Sequence, residues 1–384
     1  MSDTVHNAIR RLRAQRGQTQ QEFADQVGIS RQSLVSIEAG KSQPSTAVAL
    51  RIARALNVRM DQLFWLDSEA ELTAEVAEAG GLLGTGADTR VALSMIAGRW
   101  VAHPIGQGEP GSRLLAADGL ALSADLHGAE PGQTVRVRPL TEPGIASQRL
   151  IVMGCAPPLG PFSTRLAERY GDMPVTWLHR SSGAALEALE RAQAHVAGVH
   201  YRTESTGADS NLSAVQERFA DQPVVVVNLV SWEAGLVTAP GNPHGIRGIE
   251  DLARREVRFV QRETGSGARH LLVEALREKG LTIDDIHAGP RVAVGHMLAA
   301  RSVALGAGDA AITIRSAAMA FGLEFLPLAH ERFDLVIRAD LVADARIERL
   351  LDTLGSRAFR RELDSLGGYE SGRSGEQLLH TGGG

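Results

Sequence analysis

A single cysteine, Cys155, occurs in 384 residues. That excludes an internal disulfide framework and a zinc cluster built from cysteines, and on its own Cys155 reads as a small buried filler after a strand. No run approaches the roughly 18–20 apolar residues of a membrane span. The opening MSDTVHNAIRRLRAQRG has no apolar signal-peptide core, so a cytoplasmic protein without a membrane partner is expected. Catalytic signatures are missing as well. There is no G-x-S-x-G elbow, H-E-x-x-H pair or dinucleotide fingerprint, and the twelve histidines lie scattered rather than at metal-ligand spacing. The expectation is a non-enzyme with no metal and no cofactor.

What is present is an ordinary composition, 43% hydrophobic and 22% charged, in a chain long enough for two or three domains with their own cores. The net charge of -5 is unevenly spread. Residues 1–66 carry nine Lys/Arg against five Asp/Glu, about +4, which leaves about -9 for the remainder. Only the N-terminal segment has the sign that suits nucleic acid.

Within that segment, Thr19 and Glu22 form an S/T-x-x-E capping box that predicts a helix start. Gly28 can take the positive φ of a sharp turn, and Ser30 is a good N-cap for a second helix. In that second helix Leu34 and Ile37 pack with Phe23, Val27 and Ile29, leaving Arg31, Gln32, Ser33 and Ser36 outward, residue types suited to base edges and phosphates. Val5 to Arg16 reads as a preceding helix, with Arg10, Arg11, Arg13 and Arg16 outward. Val48, Ile52 and Leu56 mark a fourth helix, and Met60 to Phe64 closes the bundle.

Residues 12–64 as a whole resemble the helix-turn-helix domain of phage-repressor type, Cro/C1 or XRE. The resemblance implies that Thr19 and Gln20 meet backbone and bases, that Arg31, Gln32, Ser33 and Ser36 lie in the major groove of double-stranded DNA, and that Lys41 sits near a phosphate. It also implies a homodimer on paired half-sites. Glu38 is read as a structural ion-pair partner instead.

Residues 67–87 begin acidic and Ala-rich and end in glycine breakers, which predicts a solvated linker helix and hinge. In residues 88–146 short β runs follow, at Arg90 to Met95, Trp100 to Pro104, Gly119 to Leu122 and Thr134 to Pro139. Their Ala-Asp-Gly-Leu turn at 117–120 and Gly-x-x-Val-x-Val closing strand resemble the small C-terminal β-barrel of molybdopterin molybdenumtransferases of the MoeA type.

Residues 147–372 alternate apolar strands with helices, as in a parallel α/β fold. GLVTAPGNPHGIRGIEDLARREVRFVQRETGSGARHLLVEAL (235–276), AGVHYRTESTG (197–207) and the segment LAHERFDLVIRADLV resemble the periplasmic-binding-protein-like domain found beside molybdenum-related modules. The resemblance implies two α/β lobes of the type II kind, crossing over near Leu229 to Trp232 and again near Phe325 to Leu328. Residues 373–384 read as a flexible tail. The fold class is therefore multidomain: an all-α helix-turn-helix bundle, a small β-barrel and a two-lobed α/β domain.

Two strand-to-helix turns rich in hydroxyls can cage an anion. In one, Thr264, Gly265, Ser266 and Arg269 offer backbone N–H groups, a helix dipole, hydroxyls and a bidentate charge; in the other stand Ser181 and Ser182. His296, before a later helix, is a further candidate contact. The bland alternative is that these serines and threonines merely cap helices and that His296 is a capping or surface residue. The Gly265–Gly267 stretch is no Walker motif, because the lysine is missing. Taken together, the sequence points to a ligand-responsive DNA-binding regulator with a small anionic effector: molybdate, tungstate or a molybdenum-cofactor species. A cytoplasmic carrier whose N-terminal bundle binds a protein is the alternative.

Overall fold

The computed structural model describes residues 5–66, 71–77, 88–105, 115–122, 125, 130–201 and 210–380. The chain divides into two compact units, Met1–Glu71 and Leu72–Gly384.

In the first unit, strand β1 (Val5–Asn7) leads into helices α1 (Ile9–Gln15), α2 (Gln20–Val27), α3 (Arg31–Glu38), α4 (Thr46–Ala55) and α5 (Met60–Leu63), and strand β2 (Phe64–Leu66) follows. Ile9, Phe23, Ala24, Val27, Leu34, Ile37, Ile52, Leu56 and Leu63 form its core. The expected helix over Val5 to Arg16 is shorter than predicted, because Val5–Asn7 pairs antiparallel with Phe64–Leu66. Asn7 enforces the change: its side chain accepts from the Ile9 amide at 3.2 Å and donates to the Ile37 carbonyl at 2.8 Å. Arg13 also departs from the outward placement. It is buried, ion-paired to Glu38 at 2.7 Å and bonded to the Gln18 carbonyl at 2.6 Å.

The second unit opens with a closed barrel of β3 (Leu72–Val76), β4 (Thr89–Ile96), β5 (Arg99–Pro104), β6 (Gly119–Ala121) and β7 (Thr134–Pro139), joined in the order β3-β5-β4-β6-β7. Leu72–Val76 is therefore a barrel strand and not part of a linker helix. It pairs antiparallel with β7 and parallel with β5. Ala74 and Val76 are fully buried, and the period-2 alternation wins over the helix propensity of alanine and glutamate. The remaining linker positions, 67–70 and 78–87, lie outside the described residues.

After α6 (Pro143–Ser147) come β8 (Leu150–Met153), α7 (Leu159–Arg169), β9 (Val175–Leu178), α8 (Ser182–Glu190), β10 (Val196–Val199), α9 (Ser210–Arg218) and the fifteen-residue β11 (Val224–Thr238). A second series follows: β12 (Phe259–Arg262), α10 (Gly267–Glu278), β13 (Ala288–Ala293), α11 (His296–Ala304), β14 (Ala310–Ile314), α12 (Arg315–Ala320) and β15 (Glu324–Arg338). The chain ends in α13 (Ala345–Leu354), α14 (Arg357–Leu366), β16 (Tyr369–Glu370) and β17 (Gln377–His380).

The strands run in the order β13-β12-β14-β11-β15-β10-β8-β9, so the sheet is mixed rather than parallel throughout. The pairings of β8 with β9 and β10, and of β12 with β13 and β14, are parallel, whereas β11 and β15 pair antiparallel along their whole length. One half of that pair belongs to each lobe. Val196–Val199 pairs with Asp334–Ile337 in the first lobe, and Ala234–Thr238 pairs with Ala310–Ile314 in the second. The first crossing thus lies at residues 229–233, where it was expected. The second lies at residues 330–333 rather than at Phe325 to Leu328, of which Phe325, Leu326 and Pro327 pair with Val237, Leu236 and Gly235 inside the second lobe.

Residues 373–380 are not a loose tail. Gln377–His380 adds a strand to Val225–Val227. Ser374 is fully buried and donates to the Leu229 carbonyl at 2.5 Å, and the Gly375 amide donates to the Asn228 carbonyl at 2.9 Å. Backbone groups of a buried strand need partners, and this segment supplies them along the edge of β11.

Gly198 leaves room for Phe333, whose ring carbon would stand 2.4 Å from a Cβ at that position. Gly198→Ala is expected to cost about 1–3 kcal/mol by overpacking, seen as a lowered thermal midpoint of the second unit.

Candidate DNA-reading helix and ligand cleft

The capping chemistry of the first unit is as the sequence required. Thr19 accepts from the Glu22 amide while Glu22 accepts from the Thr19 amide at 2.8 Å, Gly28 adopts φ 72°, and Ser30 caps α3 through the Ser33 amide. This turn leaves one face of α3 open. Arg31, Gln32, Ser33 and Lys41 are exposed, and Ser36 is half-buried. Val35, which sequence reasoning did not single out, stands 40% exposed on the same helix. The Ser33 hydroxyl lies 2.8 Å from that of Ser30. Gln20 is placed differently from a free base contact: half-buried, it donates to Glu38 at 3.0 Å. Glu38, with a side chain only 3% exposed, therefore holds both Arg13 and Gln20 and ties α1, α2 and α3 together.

In the second unit the ends of β8, β10 and β12 and the start of α11 bring chemistry to one buried place. Cys155 follows β8, His200 follows β10, Arg262 ends β12 and His296 opens α11. The Cys155 sulfur is 3.5 Å from His200 Nδ1, and the rings of His200 and His296 are 6.0 Å apart. Trp232 and Phe333, from the two crossing strands, flank His200, the first edge-on at 5.7 Å and the second stacked at 5.9 Å. Trp232 donates to Glu331 at 3.0 Å. Arg262, 3% exposed, pairs with Glu263 at 2.9 Å, donates to the Ala293 carbonyl at 3.2 Å and reaches His296 Nδ1 at 3.4 Å.

His200 is the point where the two anticipated loops meet. Ser182 bonds its backbone from the first lobe, accepting from its amide at 3.1 Å and donating to its carbonyl at 3.3 Å. From the second lobe Gly267, the first residue of α10, lies so close that a Cβ would stand 2.5 Å from His200 Nε2. The helix starts of α8 and α10 thus converge, while their hydroxyls do structural duty. Ser181 caps α8 through the Ala184 amide, and Ser266 caps α10 while donating to the Glu263 carbonyl at 2.8 Å. Thr264 and Gly265 are exposed at the turn, and Arg269 is half-buried and reaches Gln261 at 3.3 Å. His296 is no surface residue, being 2% exposed.

Charge in this pocket is finely divided. Burial opposes protonation of His200, but the charge and hydrogen bond of Cys155 and the Glu331 carboxylate push its pKa up to about 9. Burial and the Arg262 charge hold His296 well below the ordinary imidazole value. Glu263 is disfavoured as an anion by burial, yet the Arg262 hydrogen bonds and charge keep it below the usual carboxylate range. Below the crossing, Asp334 is fully buried and takes bonds from Asn211 at 2.8 Å, Asn228 at 3.0 Å and Arg332 at 2.7 Å. Burial raises its pKa against those partners.

Sequence reasoning missed His200, Trp232, Arg262, Glu331 and Phe333 as site residues and took Cys155 for a filler. The signal for Cys155 and His200 was their place, each one or two residues beyond a parallel strand, where α/β sheets put their sites.

Two lobes joined by paired crossing strands, with polar groups converging where they meet, define a hinged ligand-binding domain. The PBP superfamily domain model matches residues 163–355, half of the chain, and the chain belongs to that family. A helix-turn-helix model matches residues 9–63, and the first unit is a domain of that kind. The Bacillus subtilis protein YvgK is 30% identical over 203 residues, 53% of this chain and 65% of YvgK, so just under two thirds of that relative is spanned. An HTH-type transcriptional regulator of Archaeoglobus fulgidus is 46% identical over 65 residues, 17% of this chain and 93% of its own. Among solved structures, a phosphate ABC transporter substrate-binding protein from Clostridium perfringens is similar at 11% identity, covering 57% of this chain and 97% of its own with a TM-score of 0.44.

Two expectations follow from these environments. Glu38→Ala leaves Arg13 buried without its partner, a loss of about 3–5 kcal/mol; the first unit should become protease-sensitive and DNA binding should fall with it. The second concerns pH. Burial, aided by Arg180 for His103 and by Arg346 for His195, lowers both pKa values from 6.5 to about 3. Above pH 6.5 both are neutral folded or unfolded and contribute nothing. As pH falls from 6.5 toward 3 the unfolded chain takes up protons that the folded chain refuses, so stability declines, by up to about 1.4 kcal/mol per pH unit for each histidine. Urea denaturation across pH 4–7 measures the slope, and replacing His103 should flatten it.

Proposed function

We propose that this chain is a one-component transcription regulator in which closure of the two-lobed domain on a small ligand changes the DNA affinity of the helix-turn-helix domain. The observation that carries this reading is the pairing, in one chain, of an open α3 face with a hinged domain whose two helix starts converge on His200. Arg31, Gln32, Ser33 and Ser36 would enter the major groove, with Thr19 and Lys41 at the backbone. Gln20 would act through the Glu38 network that positions α3 as much as through DNA. A homodimer in the cytoplasm, reading paired half-sites, is part of the proposal. Regulation requires that the ligand favour one conformation of the dimer, since equal affinity for both shifts nothing.

The ligand class is a small oxyanion, with molybdate or tungstate first and a molybdenum-cofactor species second. Support comes from the N-terminal ends of α8 and α10, whose free amides and dipoles favour an anion, from the exposed Thr264–Gly265 turn and from Arg269 beside it. The barrel's resemblance to that of molybdopterin molybdenumtransferases points the same way.

Replacing both Arg31 and Gln32 by alanine should abolish site-specific DNA retardation and leave ligand binding intact; specific binding in that double variant would sink the assignment of α3. Calorimetry of the full chain with molybdate and with tungstate tests the ligand class. Absence of heat with both, alongside thermal stabilisation by a different ligand, would remove the oxyanion from the proposal. A carrier that binds protein through its first unit would instead show ligand binding with no specific DNA retardation in the unmodified chain.

A further inference from the structure

Cys155, His200 and His296 lie 45 and 96 positions beyond one another in the sequence, yet each offers a ligand atom within 4.8 Å of the other two, and all three residues are buried. One sulfur and two imidazoles are the donor set of borderline-soft d-block cations, not of calcium or magnesium. The spacing fits as well. Bonds of about 2.3 Å to sulfur and about 2.05 Å to nitrogen, at a tetrahedral angle, set sulfur and nitrogen about 3.6 Å apart. The Cys155 sulfur and His200 Nδ1 are separated by 3.5 Å.

A second observation points independently to something held here. His296 Nε2 is buried and has no hydrogen-bond partner among the described residues, although the residue is 98% shielded from solvent. Buried imidazole nitrogens normally find partners. Its other nitrogen, Nδ1, faces the Thr313 hydroxyl at 3.5 Å, and that hydroxyl donates to the His296 carbonyl at 3.0 Å. Arg262 also reaches Nδ1, at 3.4 Å, and can only donate to it; a cation on Nε2 selects the other tautomer, in which Nδ1–H gives up that contact and donates to the Thr313 oxygen, as outer partners of metal-bound histidines do. Charge is balanced too. A dication, one thiolate and two neutral imidazoles sum to one positive charge, and the buried Glu331 carboxylate beside His200 supplies the negative one; its Oε1 has no partner among the described residues. Arg262 brings no surplus, because Glu263 neutralises it.

We propose that Cys155, His200 and His296 form a binding site for a single thiophilic divalent cation of the zinc–cobalt type at the buried floor of the cleft, between strands of the first lobe and the start of α11. Binding forms one metal–sulfur and two metal–nitrogen bonds and releases to solvent the proton held between Cys155 and His200, so affinity falls as pH falls. His200 and Cys155 come from the first lobe and His296 from the second, so the cation would bridge the lobes and favour the closed cleft. The proposal rests on the cleft described above and not on DNA binding.

The test uses the full chain, stripped with a chelator and titrated with Co2+ in the absence of DNA. One equivalent should produce a near-ultraviolet thiolate-to-cobalt charge-transfer band. Cys155→Ser should remove that band, and His296→Gln should weaken cobalt binding at least ten-fold, each with unchanged circular dichroism. Absence of the band in the unmodified chain, or its persistence in Cys155→Ser, would overturn the site. Should either variant fail to fold, the unmodified chain decides: it should withdraw one equivalent of Zn2+ from a chromophoric chelator, and withdrawal of none refutes the proposal. DNA retardation, measured separately, can fail without touching these results.

Discussion

The second unit depends on one antiparallel pairing, that of β11 with β15. Each strand belongs to both lobes, so the backbone ladder that holds each lobe together also joins it to the other. A register shift between Asn228 and Val230 marks the crossing, and the buried Asp334 gathers Asn211, Asn228 and Arg332 just beneath it. A buried carboxylate is costly unless each lone pair is met. Here the cost is offset by three donors drawn from a helix and both crossing strands. Above the crossing, Trp232 and Phe333 pack against His200 with centroids 5.7 and 5.9 Å away. The hinge is therefore a defined seam between a polar knot on one side and an aromatic cluster on the other.

That seam accounts for the chemistry of the cleft. Because β8, β10 and β12 end at the same level, the residues just beyond them are forced into one volume. Gly198 and Gly267 are the openings through which it closes: the first admits the Phe333 ring and the second the His200 ring. A side chain at Gly198 would strike the crossing strand at Phe333, and one at Gly267 would strike His200 of the opposite lobe. The DNA-reading unit shows the same economy, since Glu38 fixes Arg13 and Gln20 together and so sets three helices with a single carboxylate.

Much of this was legible in the residues. The capping box, the Gly28 turn and the apolar spacing of Leu34 and Ile37 are local signals, and the structure contains all three. The strands at 150–153 and 310–314 were legible because fully buried strands carry almost wholly apolar runs, LIVM and AAITI. What escaped depended on distant partners. Val5–Asn7 is a strand only because Phe64–Leu66 lies opposite, and Leu72–Val76 because β5 and β7 flank it. The cleft escaped for the same reason. Nothing local to Cys155 or His200 tells that His296 stands beside them, whereas the hydroxyls of Ser181 and Ser266, which are legible locally, serve their own helices as caps.

The strand at Gln377–His380 has a consequence for how the protein is made. Ser374 bonds Leu229 across 145 residues, and the edge of β11 stays bare until the ribosome has delivered that segment. The helix-turn-helix unit is complete some three hundred residues earlier and folds from local contacts while the remainder is still being synthesised. Translation that stops early thus yields a folded DNA-binding head carrying a hinge with an unprotected β edge, a surface prone to aggregation and proteolysis. Late completion of that edge ties the integrity of the second unit to residues 374–380.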